Sequence, residues 1–131
     1  MGIVGAGYIA REHLKVIHAI NGVKAEGIIS RTISKAEELV TIFDIGRVYD
    51  NINDLIEECK LDAIMILVSA NQIFDVAKNL IPVNIPLFIE KPPGLTPQET
   101  KVLVELADKH GTINMVGYNR RYYSIFHKGI E

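Results

Sequence analysis

The chain has 131 residues, and its 14 basic and 16 acidic side chains give a formal net charge of −2. This near-neutral charge excludes a broad basic surface for nucleic acid or for an anionic membrane. The length predicts one domain, and the 48% hydrophobic content predicts that it is folded. The single cysteine excludes an internal disulfide and gives no metal-ligand spacing, so we expect a cytoplasmic protein. No apolar run approaches the length of about 18 residues that spans a membrane.

Short apolar strands alternate with amphipathic helices in the first half of the chain. In chain order we predict a strand over residues 1–4, a helix over 9–20, a strand over 23–29, a helix starting at 34, a strand over 47–49 and a helix over 53–59. At the start of the second helix, Ser34 and Glu37 form a capping box, in which both side chains satisfy free backbone amides.

The second half of the chain continues this alternation. We predict a strand over residues 62–68, a helix over 71–81, a strand over 86–90, a helix starting at 96 and ending before Gly111, and a strand over 113–117. The apolar run that ends at Val68 is continuous, which is typical of a strand covered on both faces in a parallel sheet. Thr96 and Glu99 form a second capping box, with Pro97 at the first helical position.

The order of these elements predicts an α/β fold. About six strands separated by about five helices form a doubly wound parallel sheet with helices on both faces, and ligands of such sheets bind beyond the carboxyl ends of the strands. We assign residues 1–118 to this domain and residues 119–131 to the start of a further helix, because Tyr122, Phe126 and Ile130 have helical spacing. The short first strand and the uncapped last helix indicate a piece of a longer protein.

A glycine-rich turn follows the first predicted strand. The sequence Gly-Ala-Gly-Tyr-Ile-Ala, which starts at Gly5, matches the pattern G-x-G-x-x-A. Gly5 permits a tight turn, Gly7 lets the backbone approach a pyrophosphate, and Ala10 lets the helix pack closely on the strand. The free amides at the helix start, including those of Tyr8 and Ile9, bind phosphate oxygens. Because the turn joins a strand to an amphipathic helix, it predicts a dinucleotide site.

The end of the second predicted strand favours one of the two nicotinamide dinucleotides. An NAD site usually has Asp or Glu there to bind the ribose hydroxyls, but this chain has Ser30 and Arg31. A hydroxyl and a guanidinium suit the 2′-phosphate of NADP(H). We therefore predict NADP(H) in preference to NAD(H), although an arginine at this position also fits a solvated surface loop.

Glu90 and Lys91 lie at the carboxyl end of the fifth predicted strand, before two prolines. A lysine at this edge can present a positive charge to a developing alkoxide, or exchange a proton with a substrate hydroxyl. Glu90 can fix the position of that lysine. These residues alone equally fit a charged pair at a strand end before a turn.

Four segments together resemble the Gfo/Idh/MocA family, which is named for glucose–fructose oxidoreductase, inositol dehydrogenase and a rhizopine-catabolism protein. They are the glycine turn at residues 5–7, His13, the sequence Glu90-Lys91-Pro92 and residues 117–121. The resemblance covers essentially the whole chain in family order. It implies the nucleotide-binding N-terminal domain of an NAD(P)-dependent oxidoreductase that acts on a small sugar-like alcohol or its ketone.

The resemblance also implies roles for residues around the cofactor. It makes Lys91 the catalytic lysine near the nicotinamide and the reacting hydroxyl, and it places Glu90 along the nicotinamide ribose. It implies that the loop from Ser69 to Asn71 borders the cofactor. The bond between Lys91 and Pro92 is often cis in the family, which fits a rigid tight turn.

On the substrate side, the resemblance places Asn119 and Arg120 where they can meet the substrate. It matches His13 to a first-helix histidine that we interpret as structural, and Phe74 stands where the family often has a histidine. The family continues into a second α/β domain, absent from these 131 residues, that supplies the catalytic histidine, most of the substrate pocket and the oligomer interface. We therefore expect cofactor binding without appreciable turnover, and a homo-oligomer formed through exposed aromatic side chains.

Two other functions stay open. A non-catalytic nucleotide-binding or interaction module could have the same fold, because fold does not determine function. A methyltransferase with a related sheet would need an acidic residue near the end of the second strand to bind ribose, and Ser30 and Arg31 do not provide one.

Overall fold

The computed structural model describes residues 1–124, in which six strands and five α-helices alternate along the chain. In chain order they are β1 (Gly2–Val4), α1 (Tyr8–Ala19), β2 (Gly27–Ile29), α2 (Ile33–Phe43), β3 (Arg47–Tyr49), α3 (Ile52–Glu58), β4 (Ile64–Ile66), α4 (Ala70–Leu80), β5 (Leu87–Ile89), α5 (Pro97–His110) and β6 (Asn114–Val116). Neighbouring strands are all parallel, in the order β3-β2-β1-β4-β5-β6. The predicted doubly wound parallel sheet is confirmed.

Helices cover both faces of the sheet and form two apolar clusters. In one cluster, Leu14 of α1 and Leu39 of α2 pack with Ile3 of β1. In the other, Ile73 of α4 and Leu103 of α5 pack with residues of β4 and β5. Strands buried on both faces need apolar residues at successive positions, which explains the continuous apolar runs of the sequence. Within residues 1–124, no helix is both long and apolar enough to cross a membrane.

Strand β2 is shorter than the sequence predicted. A strand was expected over residues 23–29, but the ladder contains only Gly27–Ile29. The neighbouring strands β1 and β3 both begin to pair with β2 at Gly27, which lies opposite Gly2 of β1 and Arg47 of β3. Residues 23–26 therefore have no regular ladder on either side, and the periodicity of the sequence could not reveal where the neighbouring strands begin.

The two predicted capping boxes have different outcomes. Helix α2 begins at Ile33, its N-cap is Thr32 without a side-chain cap bond, and Ser34 lies inside the first turn, so the box at Ser34 is wrong. The Ser30 hydroxyl instead accepts a hydrogen bond from the Thr32 amide at 3.2 Å, and Thr32, with φ −106°, starts the helix two residues earlier.

The capping box of α5 is confirmed in its main bond. The Thr96 hydroxyl accepts from the Glu99 amide at 3.2 Å, and Pro97 occupies the first helical position. In a capping box, the Glu99 carboxylate is expected to accept a hydrogen bond from the Thr96 amide. It accepts instead from the amide of the preceding residue, Leu95, at 2.6 Å. The helix ends at His110, and Gly111, with φ +66°, is its C-cap, as predicted.

The segment after β6 differs from the predicted helix start. Asn119–Tyr122 form a 3-10 turn, and Tyr123 is extended, so a helix does not begin at residue 119. The predicted apolar positions Phe126 and Ile130 lie outside the described residues. Tyr118, Tyr122 and Tyr123 are at least half exposed, in agreement with the expected aromatic surface.

Candidate functional site

The glycine turn between β1 and α1 has the geometry of an anion site. Gly5 adopts φ +113°, and a Cβ atom there would lie 2.5 Å from the Leu67 carbonyl oxygen, so the position requires glycine. A Cβ atom at Gly7 would meet nothing within 4 Å, so this side of the turn is open. Gly7 is the N-cap of α1 without a side-chain cap bond, and the first-turn amides, including those of Tyr8 and Ile9, have no helical partner. Free amides and the helix dipole favour a phosphate here.

A cleft of about 830 Å³ opens beside this turn, beyond the carboxyl ends of β1, β2 and β4. Five of the predicted cofactor residues line the cleft: Gly5, Gly7, Ser30, Arg31 and Ser69. Its apolar floor comes from α3 and α4, through Ile52, Ile56, Val76 and Leu80. The structure therefore brings together the glycine turn, the end of β2 and the start of α4.

Two cations border the cleft at the end of β2. Arg31 and Lys35 both line it and are exposed. The side-chain amide of Gln72 is oriented with its oxygen towards Arg31. This oxygen accepts hydrogen bonds from the guanidinium, and one guanidinium nitrogen lies 2.8 Å from it. Among the described residues that line the cleft, the one acidic side chain is Asp75 on α4. We call Ser30, Arg31, Lys35 and Gln72 the β2 side; its two cations can bind an anion.

A second group of polar side chains lies at the end of β5. Glu90 is buried, with 8% exposure, and one carboxylate oxygen lies 2.8 Å from His13 Nε2. The other oxygen accepts from the Lys91 amide at 3.1 Å. Lys91 itself is exposed, and the following peptide bond to Pro92 is cis. We call His13, Glu90 and Lys91 the β5 side. Because β1 and β4 lie between β2 and β5, the two sides flank the glycine turn along one edge of the sheet.

His13 and Lys35 are the residues whose place in the site the sequence did not reveal. Lys35 lies in the first turn of α2 and lines the same cleft as Arg31, and a correct N-cap at Thr32 would have placed it in that first turn. His13 lies 77 residues from Glu90 in the chain, and its ring packs edge-on against Phe88 with a centroid separation of 5.1 Å. No pattern in the sequence indicates that contact.

The remaining predicted site residues lie at the margin. Ser69 is the N-cap of α4 and lines the cleft, whereas Asn71 is exposed and does not line it. Asn119 and Arg120 are exposed in the turn after β6. In residues 1–124, no group of three or more His, Cys, Asp or Glu side chains is arranged to hold a metal ion.

Comparison with known proteins shows what this chain is similar to. It is 28% identical over 127 residues to the uncharacterized oxidoreductase YrbE of Bacillus subtilis, covering 97% of this chain and 37% of that protein. It is 27% identical over 124 residues to an inositol 2-dehydrogenase of Salmonella paratyphi B, covering 92% of this chain and 37% of that protein. The crystal structure of a Gfo/Idh/MocA family oxidoreductase from Vibrio cholerae is similar, with a TM-score of 0.87 and 26% identity over 98% of this chain and 41% of that chain.

The chain spans little more than a third of the length of those two relatives. Residues 1–118 match the family described as Gfo/Idh/MocA, oxidoreductase family, NAD-binding Rossmann fold. The match covers the glycine turn, the β2 side and the β5 side. The chain therefore belongs to the Gfo/Idh/MocA oxidoreductase family, as its NAD-binding Rossmann domain.

Proposed function

We propose that this chain binds a nicotinamide dinucleotide along the carboxyl edge of its sheet, with the pyrophosphate on the turn from Gly5 to Ile9. The observation that carries the proposal is the open side of Gly7 beside free first-turn amides of α1. The residues fit such a group, because a side chain at Gly5 would collide with the backbone and Gly7 leaves room for an oxyanion.

We propose further that the cofactor is NADP(H) in preference to NAD(H). The exposed cations Arg31 and Lys35 support this, because both border the cleft where β2 ends. Ser30 adds a hydroxyl, and the one acidic side chain among the described residues that line the cleft, Asp75, lies on α4 and not at the end of β2. Gln72 supports the guanidinium from α4.

The intact protein is proposed to be an oxidoreductase for a hydroxyl or ketone on a small sugar-like or polyol molecule. When bound, the nicotinamide cofactor supplies the hydride transfer. Lys91 holds its ammonium protons at the reacting substrate oxygen, and Glu90 orients the backbone at Lys91. Asn119 and Arg120 contribute on the substrate side, and Ser69 and Asn71 border the cofactor.

The substrate class rests on relatives such as inositol 2-dehydrogenase. Because this chain spans 37% of that protein, we expect the 131 residues to bind cofactor without appreciable turnover. We also propose cytoplasmic localisation, and a homo-oligomer driven by the exposed Tyr118, Tyr122 and Tyr123. Light scattering at high concentration tests the last point, and a uniform monomer contradicts it.

The proposed function is tested by titrating the chain with NADPH and with NADH and following cofactor fluorescence. We expect NADPH to bind about tenfold more tightly, the size of one charge-assisted phosphate contact. Equal or tighter binding of NADH contradicts the preference for NADP(H). A chain that binds neither dinucleotide contradicts the proposed function.

A further inference from the structure

Glu90 is a buried carboxylate in a domain whose other charged side chains, within residues 1–124, lie at or near the surface. Burying a carboxylate is unfavourable unless both oxygens have hydrogen-bond donors. Both oxygens of Glu90 have one: His13 Nε2 at 2.8 Å and the Lys91 amide at 3.1 Å. A carboxylate only accepts hydrogen bonds, so Nε2 of His13 carries the proton of the shared bond.

Packing from three elements holds this arrangement in place. The ring of His13 on α1 contacts Phe88 of β5 edge-on. On the β6 side, a Cβ atom at Gly117 would lie 2.9 Å from the Phe88 ring and 3.2 Å from the Glu90 oxygen that faces His13. The carboxylate is thus confined between α1 and the end of β6.

We infer that His13 is a positioning residue for Lys91, acting through the Glu90 carboxylate. The imidazole N–H sets the orientation of the carboxylate, and the second oxygen then fixes the amide of Lys91. The inference rests on the proposed function, in which the ammonium group of Lys91 lies near the nicotinamide. His13 acts on Lys91 at a distance from the cleft, which none of His13, Glu90 and Lys91 lines.

The charge of Lys91 also affects how tightly the cofactor binds. Oxidised nicotinamide carries a positive charge and reduced nicotinamide does not. The positive charge of a correctly placed Lys91 therefore weakens the binding of the oxidised cofactor relative to that of the reduced cofactor. Displacing Lys91 therefore lowers the dissociation constant of the oxidised cofactor divided by that of the reduced cofactor by about threefold. This is the size expected for two unit charges roughly 6 Å apart under full solvent screening. A purely structural loss weakens both forms equally and leaves the ratio unchanged.

The first experiment follows the Lys91 backbone amide by nuclear magnetic resonance in the chain without cofactor. In His13→Leu, we expect a changed chemical shift and faster hydrogen exchange of this amide. In His13→Gln, whose amide nitrogen reaches about as far as Nε2, we expect values near those of the wild type. An amide unaffected by His13→Leu overturns the inference. If His13→Leu does not fold, His13→Asn replaces it, because its shorter amide cannot reach Glu90.

The second experiment measures the ratio of dissociation constants for oxidised and reduced cofactor in a double-mutant cycle. We expect His13→Leu to lower the ratio about threefold when Lys91 is present, and to leave it unchanged in Lys91→Met. An equal effect in both backgrounds, or none in either, overturns the inference. Failure of the proposed function is distinct, because the wild type then binds neither form while the amide measurement still decides whether His13 acts on Lys91.

Discussion

The β2 side and the β5 side both present a cation at the same edge of the sheet, but they hold it in different ways. On the β2 side, Arg31 and Lys35 are exposed and lie within a few residues of each other. On the β5 side, the amide of Lys91 is held by a buried carboxylate whose other partner is on α1. A short stretch of chain therefore places Arg31 and Lys35 together, whereas the β5 side also depends on a contact between residues 77 apart.

The largest effect is expected at the glycine turn, which lies between the two sides. Gly5→Ala places a Cβ atom 2.5 Å from a backbone oxygen at φ +113°, so we expect the free energy of unfolding to fall by about 3 kcal/mol. Urea denaturation followed by circular dichroism measures it. Gly7→Ala is the matched control. A Cβ atom at Gly7 meets nothing within 4 Å, so we expect the free energy of unfolding to change by no more than about 1 kcal/mol. We also expect a large loss of cofactor affinity, because the methyl group occupies the open side of the turn where the pyrophosphate is proposed to bind. Equal stability losses in the two variants contradict this explanation.

The next effect separates the β2 side from the β5 side. In Arg31→Ala we expect the affinity for NADPH to fall about tenfold or more and the affinity for NADH to change by less than about twofold. Lys35→Ala should have the same selectivity with a smaller loss of about threefold, because Lys35 is a point charge without a planar fork. Fluorescence titration measures both. A uniform loss for the two cofactors shows instead that Arg31 supports the fold of the site and not the 2′-phosphate.

A smaller effect is expected from crowding the β5 side. In Gly117→Ala the new methyl group meets the Phe88 ring and the Glu90 carboxylate, so we expect the free energy of unfolding to fall by about 1 kcal/mol. The Lys91 amide resonance should shift, while the ratio of the affinities for NADPH and NADH should stay at its wild-type value. A changed cofactor preference contradicts the separation of the two sides.

The smallest effect lies away from both sides and serves as a reference. A hydrogen bond to Cys59, with burial as a second cause, raises the pKa of Tyr49 to about 12. The raised value favours the neutral phenol in the folded state, so this contribution to stability is present below about pH 10 and is lost as the pH rises through about 12. Cys59→Ala should lower the pKa of Tyr49, measured by tyrosinate absorbance with Tyr49→Phe to identify the signal. Cofactor selectivity should not change, and a change contradicts the independence of this region.

The features predicted correctly share one property, which is that their evidence lies within a short stretch of chain. The glycine turn, the Thr96 cap and the Gly111 stop are local patterns with a local physical cause. The evidence for the misplaced cap at Ser34 is also local, but Thr32 is a second hydroxyl residue that can be the N-cap. The hydrogen bond from the Thr32 amide to the Ser30 hydroxyl favours Thr32, so the helix starts earlier. The error hid Lys35 from the predicted site.

The sequence by itself determined the order of strands and helices, the parallel sheet and the position of the glycine turn, because hydrophobic periodicity and backbone conformation depend on near neighbours. Only the tertiary structure decided that β2 begins at Gly27, where the strands beside it begin. It also decided that His13 meets Glu90, since a contact between residues 77 apart depends on how α1 lies on the sheet. Such contacts follow from packing in three dimensions, and the spacing of residues along the chain does not contain them.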